Sequence, residues 1–134
     1  MDPFNQDREV REIARAHDIV YMAYSSFGTQ WEHKLQHNPV FECQTLQEIA
    51  RKHKTTVSQV VISWLLQEGV VAIPRGGSLD HVRDNAALIP ARRRTLDNVV
   101  EASSTDQVID VFLDAGDMER VRALDGSIGP LWEE

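Results

Sequence analysis

Residues 18–24 read Asp-Ile-Val-Tyr-Met-Ala-Tyr, which after the first aspartate is a continuous apolar run rich in β-branched and aromatic side chains. Strands of parallel sheets, which are covered on both faces, show such continuity, whereas half-exposed strands alternate apolar and polar residues. Residues 70–73, Val-Val-Ala-Ile, have the same character and are followed by Pro74. The sequence therefore predicts two adjacent parallel strands joined by a right-handed helical crossover.

Helical patterns surround the two predicted strands. Asp2 and Pro3 are predicted to be the N-cap and first residue of a helix. Its positions at helical spacing are Val10, Ile13, Ala14 and His17. Capping boxes at Thr45/Glu48 and Thr56/Gln59 predict two more helices, the second ended by Gly69. Their predicted buried stripes are Leu46, Ile49, Ala50 and His53, then Val57, Val60, Val61, Trp64 and Leu65.

The remaining segments are predicted from turn and cap residues. Ser78 and Asp80 begin a helix that runs to about Asn85, and Asp114 caps a last helix closed by Gly126. Residues 25–39 are predicted to be a loop. Residues 90–106 show no clear period, which predicts a surface loop with a short helical turn at 96–100. Phe112 and Leu113 are predicted to return the chain to the core.

The order helix, strand, helix pair, strand, helix, loop, helix is typical of α/β proteins with parallel strands. Two strands that are apolar on both faces need neighbours to pair their edges and cover their faces. The sequence does not obviously contain those neighbours. It is therefore predicted to be a piece of a larger sheet.

Composition excludes several classes of protein. The 134 residues, 42% apolar and 26% charged, are ordinary for one globular domain. No apolar run approaches the ~18 residues of a membrane span, and the first residues carry no signal-peptide pattern. A single cysteine, Cys43, fits a reducing compartment. The net charge of −7 argues against nucleic acid or an anionic membrane as partner. We therefore expect a soluble, cytoplasmic domain.

The residues that follow the two strands are the candidates for chemistry, because ligands of parallel α/β folds bind at the carboxyl ends of strands. The first strand ends in Ala-Tyr-Ser-Ser-Phe-Gly at 23–28. The second runs through Arg75-Gly76-Gly77-Ser78 into a helix N-terminus. Free N–H groups, two glycines and a guanidinium suit a phosphate. A plain turn with a surface arginine fits the same residues equally well.

Three motifs decide between these interpretations: residues 23–28, the helix at 55–66, and residues 71–85. In this order and spacing they resemble the C-terminal part of an aldo-keto reductase, along nearly all of residues 4–85. The resemblance implies a (β/α)8 TIM-type barrel that uses NADP(H), with NAD(H) as the alternative, to reduce aldehydes or ketones. Residues 1–134 would then be a partial domain, a C-terminal fragment, mostly helical with the last two parallel strands. The loop at about 88–108 is longer than usual for the family.

The resemblance also implies roles for residues of the first motif. Tyr24 matches the tyrosine whose ring stacks on the nicotinamide. Ser25, Phe27 and Thr29 match the loop along the pyrophosphate. The region of Trp31 lies near the substrate pocket in family members.

Further roles are implied around the second strand. Arg75 stands where the family usually has a lysine facing the 2′-phosphate, Gly76 replaces a usual serine, and Ser78 matches a position that is often Ser or Thr. His81 replaces an arginine that typically holds the 2′-phosphate, which leaves the choice between NADP and NAD open. The remaining pair, Asp84 and Asn85, matches an acid–Asn pair at the adenine.

The family's catalytic Tyr, Lys, Asp and His come from earlier strands, and no counterpart is expected in this sequence. Tyr21 lies mid-strand, and the lysines at 34, 52 and 54 lie on a loop and a helix end. By the resemblance, Met1 falls mid-chain, inside the loop after a barrel strand, which suggests a truncated chain or a misplaced start. A carbonyl substrate is expected only with a complete barrel.

Other candidates are weaker. His33 and His37, near Glu32 and Cys43, are interpreted as solvated loop histidines and not as metal ligands, because the spacing matches no metal motif. Cys43 lacks a neighbouring base. Three arginines at 92–94 are taken as a solvated loop. Trp64 is assigned to the core, and Trp31 and Trp132 are left open.

Two functions remain: the cofactor-binding portion of a carbonyl reductase, or a non-catalytic shortened relative that binds nucleotide or a partner. For the chain alone, the unpaired strand edges predict either self-association or poor folding.

Overall fold

The computed structural model describes residues 1–88 and 111–131. The order of elements is α1 (Arg8–Ala16), β1 (Met22–Ala23), α2 (Thr29–Leu35), α3 (Pro39–Glu42), α4 (Gln44–Lys52), α5 (Val57–Gln67), β2 (Val71–Ala72), α6 (Leu79–Ala86) and α7 (Ala115–Arg122). Strands β1 and β2 pair in parallel, with Met22 opposite Val71 and Ala23 opposite Ala72. The predicted parallel pairing is confirmed. Each strand is shorter than predicted, because within the described ranges neither has a second strand to pair with.

Helix α5 is the centre of the packing. The Thr56 hydroxyl accepts from the Gln59 N–H at 3.2 Å and the Gln59 side chain accepts from the Thr56 N–H, which confirms the predicted capping box. At the other end, Gly69 has φ +74°. The Gly69 N–H donates to the Leu66 carbonyl and the Val70 N–H to the Leu65 carbonyl. This Schellman arrangement turns the chain from α5 directly into β2.

The core lies between α5, α4, α3 and α7, on one side of the sheet. Its fully buried side chains include Trp31, Val40, Leu46, Ile49, Val60, Val61, Trp64, Leu65 and Val121. The buried stripes predicted for α4 and α5 are therefore largely confirmed.

Polar side chains join α4 to α7. Lys52 Nζ donates to Asp114 at 2.6 Å and to Asp117 at 2.8 Å, and His53 Nε2 lies 2.7 Å from Asp117. Although burial raises it, the hydrogen bonds from Lys52 and His53 hold the pKa of Asp117 below its usual value.

The other face of the sheet is bare in the described part of the chain. Met22 and Tyr24 along the first strand segment, and Val71 and Ile73 along the second, are 40–65% exposed, whereas Ala23 between the first two is fully buried. This alternation shows that the helices cover one face only. The expectation that both faces of both strands are buried is therefore wrong for the described residues, because no described element packs on the second face.

The first helix begins later than predicted. Residues 2–5 form a tight turn in which Asp2 and Asn5 exchange backbone hydrogen bonds of 3.1 and 3.2 Å. The Asp2 carboxylate accepts from the Phe4 N–H at 2.8 Å, so it stabilises this turn and does not cap α1. The buried face of α1 is also different, because Arg11 is buried whereas Val10 and Ile13 are exposed.

Three further predictions are corrected. Residues 25–39 are not a loop, because they contain α2 and the cap of α3, where Val40 N–H donates to the Asn38 side chain at 3.0 Å. Helix α4 begins at Gln44 after Cys43, so Thr45 and Glu48 do not form its capping box. Phe112 is 68% exposed, whereas Leu113, which was predicted to enter the core with it, is buried there.

The N-caps of the two later helices follow the prediction, but α7 ends at Arg122 and is not closed by Gly126, whose N–H donates to the Phe4 carbonyl. Ser78 caps α6, and Asp114 caps α7 by accepting from the Asp117 N–H at 2.9 Å. The interpretations of the arginines at 92–94, the turn at 96–100 and Trp132 lie outside the described residues. None of the described helices is long and apolar enough to span a bilayer.

Gly28 and Gly69 give a matched test of the packing around α2. Both have positive φ, of +71° and +74°. A Cβ added at Gly28 would lie 2.5 Å from Val40 Cγ2, whereas a Cβ added at Gly69 would have no atom within 4 Å. We expect each alanine variant to lose about 1–2 kcal/mol for the backbone conformation. Gly28→Ala should lose about 1–3 kcal/mol more for overpacking. Urea unfolding at one protein concentration measures both, and equal losses would contradict the packing described.

Candidate functional site

Two loops follow the carboxyl ends of the paired strands, and both carry predicted site residues. The pairing of Ala23 with Ala72 places the next residue of each strand, Tyr24 and Ile73, at the same edge of the sheet. The first loop therefore starts beside the second, as expected for parallel strands. The roles assigned to individual residues stay predictions, whereas the position of each residue is given by the structure.

The loop after β1 is a compact turn. The Ser26 hydroxyl donates to the Ala23 carbonyl at 3.1 Å, and the Gly28 N–H donates to the Ser25 carbonyl at 3.0 Å. Ser25 has φ +54°, a left-handed conformation that is uncommon for a residue other than glycine. Strain of this kind persists only where the surroundings impose it.

A buried polar network holds this turn. The Ser25 hydroxyl donates to the side-chain carbonyl oxygen of Gln30, the Gln30 amide donates to Asp2 Oδ2, and Trp31 Nε1 donates to the same oxygen at 3.2 Å. Asp2 is completely buried, and desolvation raises the pKa of its carboxyl despite the hydrogen bonds that it accepts. The sequence interpretation did not find this network, because Asp2 had the signature of a helix cap.

Within this loop, the two aromatic residues are placed differently. Tyr24 is 65% exposed, so a face of its ring is available to a planar ligand. Phe27 packs on the core, with its ring centroid 6.1 Å from that of Phe41. Thr29 is exposed at the first turn of α2. The turn therefore presents Tyr24 and Thr29 outward and anchors itself through Phe27.

The loop after β2 is shaped by Gly76. A Cβ at this position would lie 2.6 Å from Val82 Cγ2, so only glycine lets the chain pass this close to α6. The Ser78 hydroxyl then accepts from the His81 N–H at 3.2 Å. The first four N–H groups of any helix lack intrahelical acceptors, and the cap satisfies one of them. The N-terminus of α6, flanked by exposed Arg75 and His81, therefore has the chemistry of an anion site.

Asp84 and Asn85 lie on α6 beyond this terminus. The Asp84 carbonyl accepts from Gln59 Nε2 at 3.3 Å, which ties α6 to α5, and the Asp84 side chain is exposed. Asn85 is half-buried and lines an apolar cleft of about 360 Å³ between α5, β2 and α6. The cleft walls include Ile62, Leu66, Pro74, Val82 and Leu88, together with Gly76. A flat, mostly apolar group would fit this cleft.

Other candidates have structural roles. Trp31 is fully buried, so the ring does not overhang a pocket, and Trp64 is a core residue as predicted. The described ranges hold no group of three metal-ligating side chains, and His37 Nδ1 lies 3.0 Å from Glu42. Cys43 is half-buried with a free thiol.

Tyr21 is not arranged as a proton donor at neutral pH. Its hydroxyl donates to the Asp7 carboxylate, and burial together with that carboxylate raises the pKa of the phenol well above its usual value. Of the lysines, Lys34 Nζ donates to the Pro130 carbonyl at 2.7 Å and Lys52 is held by Asp114 and Asp117. Neither is placed at the two loops.

The fold and the two loops define a β/α unit of the barrel type, with its candidate site at the carboxyl ends of the strands. The chain belongs to the aldo/keto reductase family, whose family model matches residues 1–104. A reductase of 9,11-endoperoxide prostaglandin H2 from Trypanosoma cruzi is 35% identical over 85 residues, which are 63% of this chain and 28% of that protein. An NAD(P)H-dependent D-xylose reductase from Kluyveromyces lactis is 34% identical over 110 residues, which are 78% of this chain and 33% of that protein. The chain thus spans about a third of the length of these relatives.

Solved structures of aldo-keto reductases have the same fold over the matched residues. The silkworm (Bombyx mori) aldo-keto reductase superposes with a TM-score of 0.68 at 24% identity, over 93% of this chain and 32% of that chain. A variant of Gox0644 in complex with NADPH superposes with a TM-score of 0.68 at 25% identity, over 97% of this chain and 38% of that chain. The neighbours are (β/α)8 barrels, so the predicted family and barrel-type fold are confirmed.

The Asp2 network predicts a pH-dependent cost for Gln30→Glu. The new carboxyl would face Asp2, remove the amide donor and raise the folded-state pKa of both acids. Because a raised folded-state pKa means that stability is lost as pH rises, we expect a loss of about 1–3 kcal/mol at about pH 7 and a smaller loss at about pH 4. The exposed Gln36→Glu is the matched control. Urea unfolding of both variants at the two pH values measures the effect, and a pH-independent loss would contradict it.

Proposed function

We propose that this chain forms the NADP(H)-binding portion of an aldo-keto reductase that reduces aldehydes or ketones to alcohols. The observation that carries the proposal is the passage from β2 into α6. There Gly76 brings the backbone close to Val82, Ser78 caps the helix, and Arg75 stands exposed beside its N-terminus. The relatives support it, since the D-xylose reductase is NAD(P)H-dependent and the Gox0644 variant was solved in complex with NADPH.

The proposed fit divides the dinucleotide between the two loops. Tyr24 would stack on the nicotinamide, and Ser25, Phe27 and Thr29 would follow the pyrophosphate. Arg75, Ser78 and His81 would hold the 2′-phosphate through charge and through the α6 dipole. The adenine would lie against Asp84 and Asn85, where the apolar cleft accepts a flat ring.

Bound NADPH would supply the hydride, and the protein would orient it and provide a proton to the carbonyl oxygen. Tyr21 and Lys52 are not placed to give that proton, since Tyr21 is held by Asp7 and Lys52 by two aspartates. We propose that the catalytic Tyr, Lys, Asp and His lie outside this chain, and that the carbonyl substrate binds only where a complete barrel is present. The single free thiol, Cys43, supports a cytoplasmic location.

The second candidate function is a non-catalytic module, and the bare sheet face favours it. Met22, Tyr24, Val71 and Ile73 form an apolar patch over the two strands. Large apolar patches are rarely left exposed on soluble monomers. NAD(H) remains the alternative cofactor, because His81 stands where the family typically has an arginine, whose positive charge is fixed.

Arg75→Met tests the phosphate assignment in a complete barrel assembled with this chain. We expect NADPH binding to weaken by about 1.5–3 kcal/mol and NADH binding to change little, since one charged hydrogen bond is lost. His81→Arg should shift the preference toward NADPH, and Arg51→Met, far from both loops in sequence, is the control. Fluorescence titration measures the dissociation constants. Equal losses for the two cofactors would refute the role of Arg75.

For the chain of 134 residues alone, the bare face predicts self-association or poor folding, with no reduction of an aromatic aldehyde by NADPH. Met22→Lys should reduce self-association by placing a charge on the apolar face, whereas Gln36→Lys should not. Size-exclusion chromatography and absorbance at the NADPH band are the measurements. A compact monomer with a cooperative thermal transition would overturn the prediction of self-association or poor folding. NADPH oxidation in a preparation free of host reductases would overturn the prediction that the chain alone reduces no aldehyde.

A further inference from the structure

A second cleft lies at the opposite end of the sheet from the two loops. Its volume is about 160 Å³, and four arginines with two glutamates line it: Arg8, Arg11, Arg15, Arg122, Glu12 and Glu68. Glu68 is the C-cap of α5, so the cleft lies where the chain enters β2 and not where it leaves. A single water needs roughly 10–15 Å³ of such space, so a small polyatomic anion has room.

The arginines converge because of their positions on two helices. Arg8, Arg11 and Arg15 follow one another at i, i+3 and i+7 on α1, which puts them on one face of that helix. Arg122 comes from the last turn of α7. The cleft is therefore built from elements that lie far apart in sequence and meet only in the folded chain.

Ion pairs fix two of the guanidinium groups. Arg11, buried to nine-tenths, donates from Nη2 to Glu68 Oε2 at 2.6 Å, and Arg122 Nε donates to Glu68 Oε1 at 2.7 Å. One carboxylate thus holds two cations. Although burial raises it, the hydrogen bonds from Arg11 and Arg122 keep the pKa of Glu68 below its usual value, so it remains an anion in the cleft.

Arg8 is fixed at the rim. Its Nε donates to Asp125 at 2.7 Å, and its Nη2 donates to the Arg122 carbonyl at 2.7 Å. Gln6, which also lines the cleft, is buried and donates to the Val121 carbonyl at 2.9 Å. These bonds hold the N-terminus of α1 against the C-terminus of α7.

The side chains that line the cleft itself carry more positive than negative charge, although two further carboxylates pair with its arginines at the rim. Its lining carries four positive and two negative side chains, on a chain whose net charge is −7. Asp125 and Glu119 lie at the rim, the latter 3.9 Å from Arg122. Within the described ranges Arg15 takes part in no ion pair. Each guanidinium has five N–H donors, and the bonds above use only a few of them.

We propose that this cleft binds a small multivalent oxyanion of the phosphate class, with Arg15 and the unused donors of Arg8, Arg11 and Arg122 as its ligands. Guanidinium groups form paired hydrogen bonds to phosphate oxygens, and an anion shared by several of them offsets their mutual repulsion. The bound anion would join α1 to α7 at the amino-terminal end of the sheet. The site is separate from the proposed dinucleotide loops, so it does not depend on the proposed function.

Calorimetric titration of the full chain with inorganic pyrophosphate, with orthophosphate and sulfate in parallel, tests the site. We expect pyrophosphate to bind most tightly, and Arg15→Gln to weaken its binding about tenfold, the loss of one charged contact. Arg51→Gln removes an exposed charge elsewhere on the chain and should leave binding unchanged.

A second measurement keeps the test independent of variant folding. In the unmodified chain, pyrophosphate should protect Arg15 from phenylglyoxal, read by peptide mapping, and should leave Arg51 reactive. Absence of pyrophosphate binding, equal weakening by Arg15→Gln and Arg51→Gln, or equal protection of Arg15 and Arg51 would each overturn the proposal.

Discussion

The burial of helix α5 is the interaction on which the rest of the structure depends. Its residues 59–65 are buried, and its two ends are closed by hydrogen bonds, at Thr56 by a capping box and at Gly69 by a Schellman turn. Because that turn leads straight into β2, the position of α5 sets the position of β2. β2 then pairs with β1, and the two loops continue from the paired strands. α6 is tied back to α5 through the Gln59 side chain, which accepts from the Thr56 N–H at the start of α5 and donates to the Asp84 carbonyl of α6.

The parts of the fold that sequence reasoning predicted are those with strong local signals. The α5 capping box, the glycine that ends it, the Ser78 and Asp114 caps and the parallel pairing of two apolar runs are all present. The error at Asp2 has a tertiary cause. Asp2 has the residue type of an N-cap, but its carboxylate accepts hydrogen bonds from Gln30 and Trp31, which lie 28 and 29 residues away in sequence. A local pattern cannot reveal a partner that only tertiary packing brings near.

The same reasoning explains why α2 was not predicted. Residues 29–35 have little apolar periodicity, and their single large core residue is Trp31. The helix is held by that one ring, by the αL residue Gly28 that precedes it and by Asn38, whose amide donates to the Phe27 carbonyl at 3.0 Å.

For the candidate site, the residue types at the strand ends were enough to identify the two loops. They were not enough to find the Asp2–Gln30–Ser25 network that imposes the conformation of the first loop.

The two ends of the short sheet differ in chemistry, and the difference results from how the chain crosses it. At the carboxyl ends, the chain turns sharply and needs glycine at 28 and 76, which leaves backbone N–H groups and few side chains in the way. At the amino ends, helices α1, α5 and α7 meet through their polar termini, so long charged side chains must pair there. Glu68 pairs with both Arg11 and Arg122 because, as the C-cap of α5, it lies within reach of the two guanidinium groups. A fold with one helix-covered face and two such ends can present backbone donors at one end and guanidinium groups at the other, and both are complementary to anions.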